Sequence, residues 1–202
     1  MSPILGTLAS QFSGKPFSSF ESISTVTVGS GGVSTIEFTS IPSTYTHLQI
    51  RYNGQTARSD FNGDALGMRM NSDGGNNYSF HILRMRENTS TGVIAESGAT
   101  QSQINFGYGS LIGSASSSIF FANGIVDILD YKNTDKYKTV KNLYGTDLNS
   151  STSIGSVFSV VGFASGLWQN ANAITSITLT SAATGQDFKQ HSQFALYGIK
   201  GA

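Results

Sequence analysis

Apolar and polar residues alternate along most of this chain. The segment His47–Tyr52 is typical, because Leu48, Ile50 and Tyr52 are separated by polar residues. Strict alternation over four to eight residues indicates a β-strand with one buried face. The same period of two recurs in Leu66, Met68 and Met70, in Tyr78, Phe80 and Ile82, and in Val157, Ser159, Val161 and Phe163. No segment sustains the apolar spacing of an amphipathic helix over three turns. The pattern therefore predicts an all-β protein.

Glycine and asparagine clusters divide the alternating segments. Gly29–Gly32 separates Val26–Val28 from Val33–Ile36, and Asn71–Asn77 separates two longer alternating segments. Both clusters contain residues that tolerate positive φ, and we expect each to close a β-hairpin. Roughly nine to eleven strands follow at the spacing that a sandwich or a barrel requires. We predict a jelly-roll-like antiparallel β-sandwich over residues 19–202.

Three segments are apolar on both faces, namely Ile119–Phe121, Ile125–Leu129 and Phe194–Ile199. Such segments suit central strands that are covered on both sides, or strands at a subunit contact. We expect Phe194–Ile199 to lie in the middle of the sandwich. If copies of the chain assemble, we expect the strands that are apolar on both faces to lie in a symmetric, trimeric contact between them.

Residues 1–18 differ from the remainder of the sequence. Their apolar residues are spaced like the face of a short helix, with Gly and Ser residues between them. These apolar residues are Ile4, Leu5, Leu8 and Phe12. One interpretation is a frayed terminus or a flap over the core of the same chain. The other is a docking arm that binds a neighbouring subunit, and this is the interpretation that we predict for residues 1–18.

Charge and composition narrow the function. The chain has 12 basic and 12 acidic residues and a formal net charge of zero, whereas a nucleic-acid-binding protein normally carries a basic excess. It contains no cysteine, which excludes disulfides and thiolate sites. No apolar segment is long enough to span a membrane as a helix. A signal peptide requires basic residues near its start, and here the first basic residue is Lys15. We therefore expect neither nucleic acid nor membrane as a partner.

Sequence motifs for chemistry are absent. His47, His81 and His191 show no metal-binding spacing, and no phosphate-binding loop or nucleophile elbow occurs. We therefore predict no enzyme activity, no catalytic residue, no metal and no cofactor. Asp60–Asp64 and Asn71–Asn77 resemble calcium loops only superficially, so we expect ordinary turns there, with weak Ca²⁺ binding as the alternative. Asp130–Lys138 interleaves basic and aromatic residues, and its acids favour a solvated hairpin over a nucleic-acid patch.

Trp168 is the only tryptophan of the chain. Exposed aromatic rings can stack on sugars, so Trp168 and Tyr108 form a candidate glycan platform. The alternative is that Trp168 packs in the core or at a subunit contact.

Six blocks of sequence, in order along the chain, resemble a family of tailed-phage virion proteins that is common among phages of cyanobacteria and aquatic bacteria. They are Met1–Gly6 with Ala9–Gln11; Ile41–Tyr45 leading into His47–Arg51; Asn71–Gly74; Ile128–Tyr131 with Asn133–Thr139; Gly166–Trp168 with Ala173–Ile177; and Phe194–Gly201.

The resemblance implies a jelly-roll-like sandwich in an accessory role on the virion surface, assembled in the bacterial cytoplasm. It implies a capsid decoration, or cement, protein that binds the major capsid protein or tail proteins of the same virion. The alternative is a tail-fibre or adsorption module that binds a host glycan. The chain departs from longer relatives in lacking a collagen-like or coiled shaft, which favours decoration over a fibre.

Overall fold

The computed structural model describes residues 19–86, 92–114, 119–148, 159–182 and 185–201. Twelve β-strands lie within these ranges, and none of the described residues is helical. The first six strands are β1 (Phe20–Thr27), β2 (Thr35–Phe38), β3 (His47–Thr56), β4 (Gly63–Met70), β5 (Tyr78–Arg86) and β6 (Val93–Gln101). The others are β7 (Ile104–Gly113), β8 (Ala122–Ile128), β9 (Lys138–Thr146), β10 (Val160–Trp168), β11 (Ile177–Ser181) and β12 (Gln193–Ile199). A search of the described residues for an apolar helix of membrane-spanning length finds none.

The strands form two layers of unequal size, which confirms the predicted all-β sandwich. The larger layer is antiparallel and has the order β1-β12-β3-β8-β9-β10-β5-β6. The smaller layer has the order β2-β11-β4-β7 and is also antiparallel. Strand β7 packs face to face against the inner side of the larger layer, where Gly109 contacts Val160 and Ile104 contacts Gly166.

The two layers meet at a corner where the end of β3 pairs with the end of β7. This pairing is parallel and joins Gln55 and Thr56 to Ile112 and Gly113. The carboxylate of Asp64 lies beside it and is fully buried. It accepts hydrogen bonds from Thr56 Oγ1 at 2.8 Å and from Ser181 Oγ at 2.7 Å. One buried carboxylate therefore ties β3, β4 and β11 together at the corner.

Aromatic rings pack over glycines on the inner side of the larger layer. Tyr52 lies over Gly124 of the neighbouring strand, and Tyr144 lies over Gly162. A Cβ atom added at Gly124 would stand 2.5 Å from Tyr52 Oη, and one added at Gly162 would stand within 3 Å of the Tyr144 ring. Because real Cβ contacts are longer, these positions leave no room for a side chain.

The hairpins predicted at Gly29–Gly32 and Asn71–Asn77 are wrong, because each loop connects the two layers, whereas the hairpin predicted at Asp130–Lys138 joins the antiparallel pair β8 and β9. Strand β1 pairs with β12, and β2 pairs with β11, so Gly29–Gly32 leads from the larger layer to the smaller one. In the same way, Asn71–Asn77 leads from β4 of the smaller layer to β5 of the larger one. Turn residues predict a reversal of direction, but they do not specify which strand the chain pairs with next.

The alternating segment Val157–Phe163 overlaps the first part of β10, but its faces were assigned the wrong way round. Val161 and Phe163 lie on its outer face, and the inner face carries Val160, Gly162, Ala164, Gly166 and Trp168. The side chains of Tyr144 and Ile104 fill the space over Gly162 and Gly166. At Gly162 and Gly166 the core is thus supplied by other strands, whereas Val161 and Phe163 face outward.

Two of the three segments that are apolar on both faces form strands. Ile125–Leu129 overlaps β8, and Phe194–Ile199 lies within β12. The third segment, Ile119–Phe121, precedes β8 and forms no strand. Strand β12 lies between β1 and β3, with Phe194, Ala195 and Leu196 all buried. Strand β8 buries only its inner face, through Val126 and Ile128.

Candidate functional site

The outer side of the larger layer carries a cluster of exposed apolar side chains, which we call the apolar outer face. Its members have exposures between 38 and 57% and are Leu83, Met85, Val93, Ile125, Leu143, Val161 and Phe163. They belong to five consecutive strands of the layer, β8, β9, β10, β5 and β6.

Strand register makes this cluster continuous. Leu143 pairs with Ile125 on one side and with Phe163 on the other, and Phe163 pairs in turn with Leu83. Side chains that are directly opposite on neighbouring strands are about 5 Å apart, so these four form an unbroken row. A second row joins Val161 to Met85 and Met85 to Val93. The apolar outer face is therefore one patch and not a set of scattered residues.

A polar row bounds one side of the patch. Asp127 pairs with Lys141, and Ser165 lies between Lys141 and His81. Gln49 donates a hydrogen bond to Asp127 Oδ1 at 2.8 Å. Large exposed apolar patches with polar rims are typical of interaction sites on soluble proteins.

A second feature is a cavity of about 310 Å³ at one end of the sandwich, between the two layers. We call it the arginine pocket. Its lining includes two arginines and two aromatic residues and is supplied by both layers and by the loop between β3 and β4; the principal residues are Arg58, Phe61, Arg84, Tyr108, Thr146 and Val160. None of the described residues that line it is acidic.

The two arginines converge on one aromatic ring. The guanidinium carbons of Arg58 and Arg84 each lie 5.6 Å from the centre of the Tyr108 ring. Arg58 also lies 4.9 Å from the centre of the Phe61 ring. Contacts of this kind with aromatic rings within about 6 Å stabilise a cation, and they hold both side chains at the pocket.

Two carboxylates pair with these arginines without lining the pocket. Arg58 Nε donates to Asp60 Oδ1 at 3.0 Å, and the Arg84 guanidinium forms an ion pair with Glu96. The hydrogen bond from Arg58 lowers the pKa of Asp60, whose side chain is 77% exposed. Water therefore screens much of the Asp60 charge.

The structure separates the two residues of the predicted glycan platform. Trp168 is only 1% exposed, and its ring stacks on Tyr78 with 6.3 Å between ring centres. Trp168 is the last residue of β10, and Val160 is the first. Eight residues of extended strand span roughly 26 Å. Val160 lines the arginine pocket together with Tyr108, so Trp168 is far from Tyr108. Trp168 is thus a core residue and cannot stack on a sugar, whereas Tyr108 does line a pocket.

Trp168 also anchors the loop between β4 and β5. Its Nε1–H donates to Asp73 Oδ2 at 2.8 Å, and Asn77 Nδ2 donates to the same oxygen at 2.8 Å. The Gly75 N–H donates to the other carboxylate oxygen. Hydrogen bonds from Asn77, Gly75 and Trp168 lower the pKa of Asp73. The Asp73 carboxylate, which suggested calcium binding, therefore organises the turn. In the other candidate loop, Asp60–Asp64, the two carboxylates also accept hydrogen bonds from the protein itself: Asp60 from Arg58, and Asp64 from Thr56 and Ser181.

The basic and aromatic block Asp130–Lys138 has a structural role at its last residue. Lys138 is fully buried, and its ammonium donates to the carbonyl oxygens of Asn133, Lys136 and Ala171 at 2.6 to 2.9 Å. Burial lowers the pKa of Lys138. Lys136 pairs with Asp130. Two of the lysines that suggested a nucleic-acid patch are therefore engaged within the protein itself.

The predicted arm residues Ile4, Leu5, Leu8 and Phe12 lie outside the described residues. Sequence reasoning missed both the apolar outer face and the pair of arginines. The first could have been found from Gly162, Ala164 and Gly166, whose small size on one face of β10 allows side chains of other strands to fill the core there and leaves Val161 and Phe163 on the other face. The arginine pocket has no local signal, because its residues are far apart in sequence.

Comparison with known proteins gives no match to a protein-family model, to a curated protein or to a solved structure.

Proposed function

We propose that this chain is a non-enzymatic structural component of a tailed-phage virion, a capsid decoration protein that works as a homo-oligomer on the particle surface. The observation that carries its assembly role is the apolar outer face. The virion location is supported by the order of the sequence blocks that resemble phage virion proteins.

The chemistry of the apolar outer face favours contact with another copy of the chain. Its seven side chains are uncharged, and the whole chain has no net charge. Two copies can therefore approach without the mutual repulsion that a strong net charge produces. Covering these side chains removes apolar surface from water, which is the main driving force for protein association. A closed ring of three copies, in which each copy uses the same surfaces, is the arrangement that we favour.

The edge of the larger layer offers a second means of assembly. Strand β6 pairs only with β5 among the described strands, so one side of its backbone has no partner strand. It contains no proline, and its only charged residue, Glu96, pairs with Arg84. Proline and unpaired charged side chains protect an edge strand from pairing with other chains, and an edge strand that lacks them is a template for strand addition. We propose that residues 1–18 or a strand of a capsid protein pair, through main-chain hydrogen bonds, with an edge strand such as β6.

Leu143→Arg tests the contact between copies. It places a charge in the middle of the row formed by Ile125, Leu143 and Phe163, so we expect the oligomer to dissociate to monomers while the sandwich stays folded. Sedimentation velocity measures the oligomeric state, and circular dichroism monitors the fold.

The matched control is Thr139→Arg, which adds the same charge to the outer side of the same strand, four residues away from Leu143. It should leave the oligomer intact. A wild-type chain that sediments as a monomer at high micromolar concentration would contradict assembly through this face, and so would equal dissociation by both variants.

Immunogold electron microscopy of purified virions, with an antibody against this chain, tests the location. Label spread evenly over the heads is the expected result for a decoration protein. Label confined to the tail tip would replace decoration by the adsorption module. Intact particles without label would overturn the virion proposal as a whole, whatever the oligomeric state.

A further inference from the structure

We propose that the arginine pocket binds the carboxylate of a small ring-shaped acid, with a sugar acid such as a uronic acid as the ligand class. This goes beyond the structural role, since a decoration protein needs no small-molecule site. The proposed site differs from the candidate glycan platform of Trp168 and Tyr108, because Tyr108 is the one residue that the two have in common.

The charge of the pocket favours an anion. Arg58 and Arg84 approach the ring of Tyr108 within 5.6 Å, so two guanidinium groups are held near one another. Asp60, which pairs with Arg58, is largely exposed to solvent, and Glu96 pairs with Arg84 without lining the pocket. A planar guanidinium presents a fork of donors that matches a carboxylate, which makes arginine the usual residue for binding this group.

A buried donor supports the same conclusion. The Arg84 side chain is 7% exposed, and its Nε–H has no acceptor among the described residues. Buried polar groups in folded proteins nearly always have a hydrogen-bond partner, so an exception calls for a ligand or a water molecule.

Size and shape limit the ligand. A cavity of about 310 Å³ is at the lower end of the range of roughly 300–1,000 Å³ that is usual for small-molecule sites. Leu111, Ile112 and Val160 form an apolar wall, while Asn62 and Thr146 contribute an amide and a hydroxyl to the lining. A single ring with a carboxylate and a few hydroxyl groups fits this mixture.

The pocket and the apolar outer face are on different sides of the larger layer. Val160 points into the pocket, whereas the next residue, Val161, belongs to the apolar outer face. Ligand binding can therefore be measured whether or not copies associate. Failure of one proposal leaves the other standing.

The test is ligand-observed saturation-transfer NMR with the full chain. The probes are D-glucuronate, its neutral amide D-glucuronamide, and cyclohexanecarboxylate, which has a carboxylate on a ring without hydroxyl groups. We expect glucuronate to bind at least about tenfold more tightly than the amide, because the amide cannot form charge-assisted hydrogen bonds with the arginines. If cyclohexanecarboxylate binds as well as glucuronate, the carboxylate and the ring suffice; if it binds more weakly, the hydroxyl groups are recognised too.

Variants connect the binding to the pocket. Arg58→Gln removes one charge, and Arg84→Lys keeps the charge but loses the planar donors of the guanidinium. Both should weaken glucuronate binding about tenfold or more. Arg51→Gln is the matched control, because Arg51 also contacts two aromatic rings, those of Phe20 and Tyr197, but does not line the pocket. Equal binding of acid and amide, binding unaffected by both pocket variants, or no binding of either acid at tens of millimolar would overturn the proposal.

Discussion

Replacing Lys138 by methionine is expected to lower the free energy of unfolding by about 2–4 kcal/mol, because three carbonyl oxygens lose the charged donor that they share. The methionine fills most of the space but cannot donate a hydrogen bond. The carbonyl oxygens of Asn133, Lys136 and Ala171 would then lose the donor that they share. These carbonyls belong to the loop before β9 and to the connection after β10, so both segments should loosen together. Urea unfolding followed by circular dichroism measures the change.

Lys141→Met provides the control for this prediction. Lys141 is on the same strand, but its side chain is exposed on the outer side of the layer. Its replacement should alter the free energy of unfolding by no more than about 0.5 kcal/mol, as is usual for surface positions. Similar stability of the two variants would mean that water can satisfy the three carbonyl groups and that Lys138 does not organise the loops.

Gly162→Ala is the second substitution with a large expected effect. A methyl group at this position would stand within 3 Å of three atoms of the Tyr144 side chain, two ring carbons and the hydroxyl oxygen. Tyr144 is only 2% exposed and is packed between the layers, so the ring has little space to retreat. We expect a loss of about 2–3 kcal/mol, near the upper end of the usual cost of adding an atom to a packed core. Thermal and urea unfolding measure it.

A double-mutant cycle identifies the cause of that loss. Tyr144→Leu removes the ring, so Gly162→Ala should cost less in this background by more than about 1 kcal/mol, a coupling typical of residues in contact. Gly74→Ala is the control for the loss of glycine alone, because a Cβ atom there would meet nothing within 4 Å. Equal costs of Gly162→Ala with and without the ring would show that the backbone, and not Tyr144, requires the glycine.

The sequence was sufficient for the fold class because strand periodicity depends on local burial. In β3, Leu48, Ile50 and Tyr52 are buried as the alternation predicts. In β10 the same rule selected the wrong face, because the core above Gly162 is filled by a tyrosine from another strand. Periodicity identifies two faces, and only the neighbouring strands decide which of them is buried.

Strand pairing and the candidate sites were beyond the reach of local patterns. Gly29–Gly32 has the composition of a hairpin turn, yet the strands on either side of it pair with the last strands of the chain. The arginine pocket likewise joins Arg58, Arg84 and Tyr108, which no motif spacing connects. Tyr108 was a candidate sugar-binding residue because of its ring, and in the structure two guanidinium groups lie near that ring.

The pairing of the first strands with the last ones has a consequence for biosynthesis. Among the described strands, β1 pairs with β12 alone and β2 with β11 alone, so the nascent chain carries these two strands unpaired while roughly 140–170 further residues are translated, for on the order of 10–30 s. Strand β3 also waits for β12 on one of its sides. The larger layer is therefore completed only when β12 has emerged from the ribosome, and newly made chains depend on chaperones or on fast closure to avoid pairing with each other.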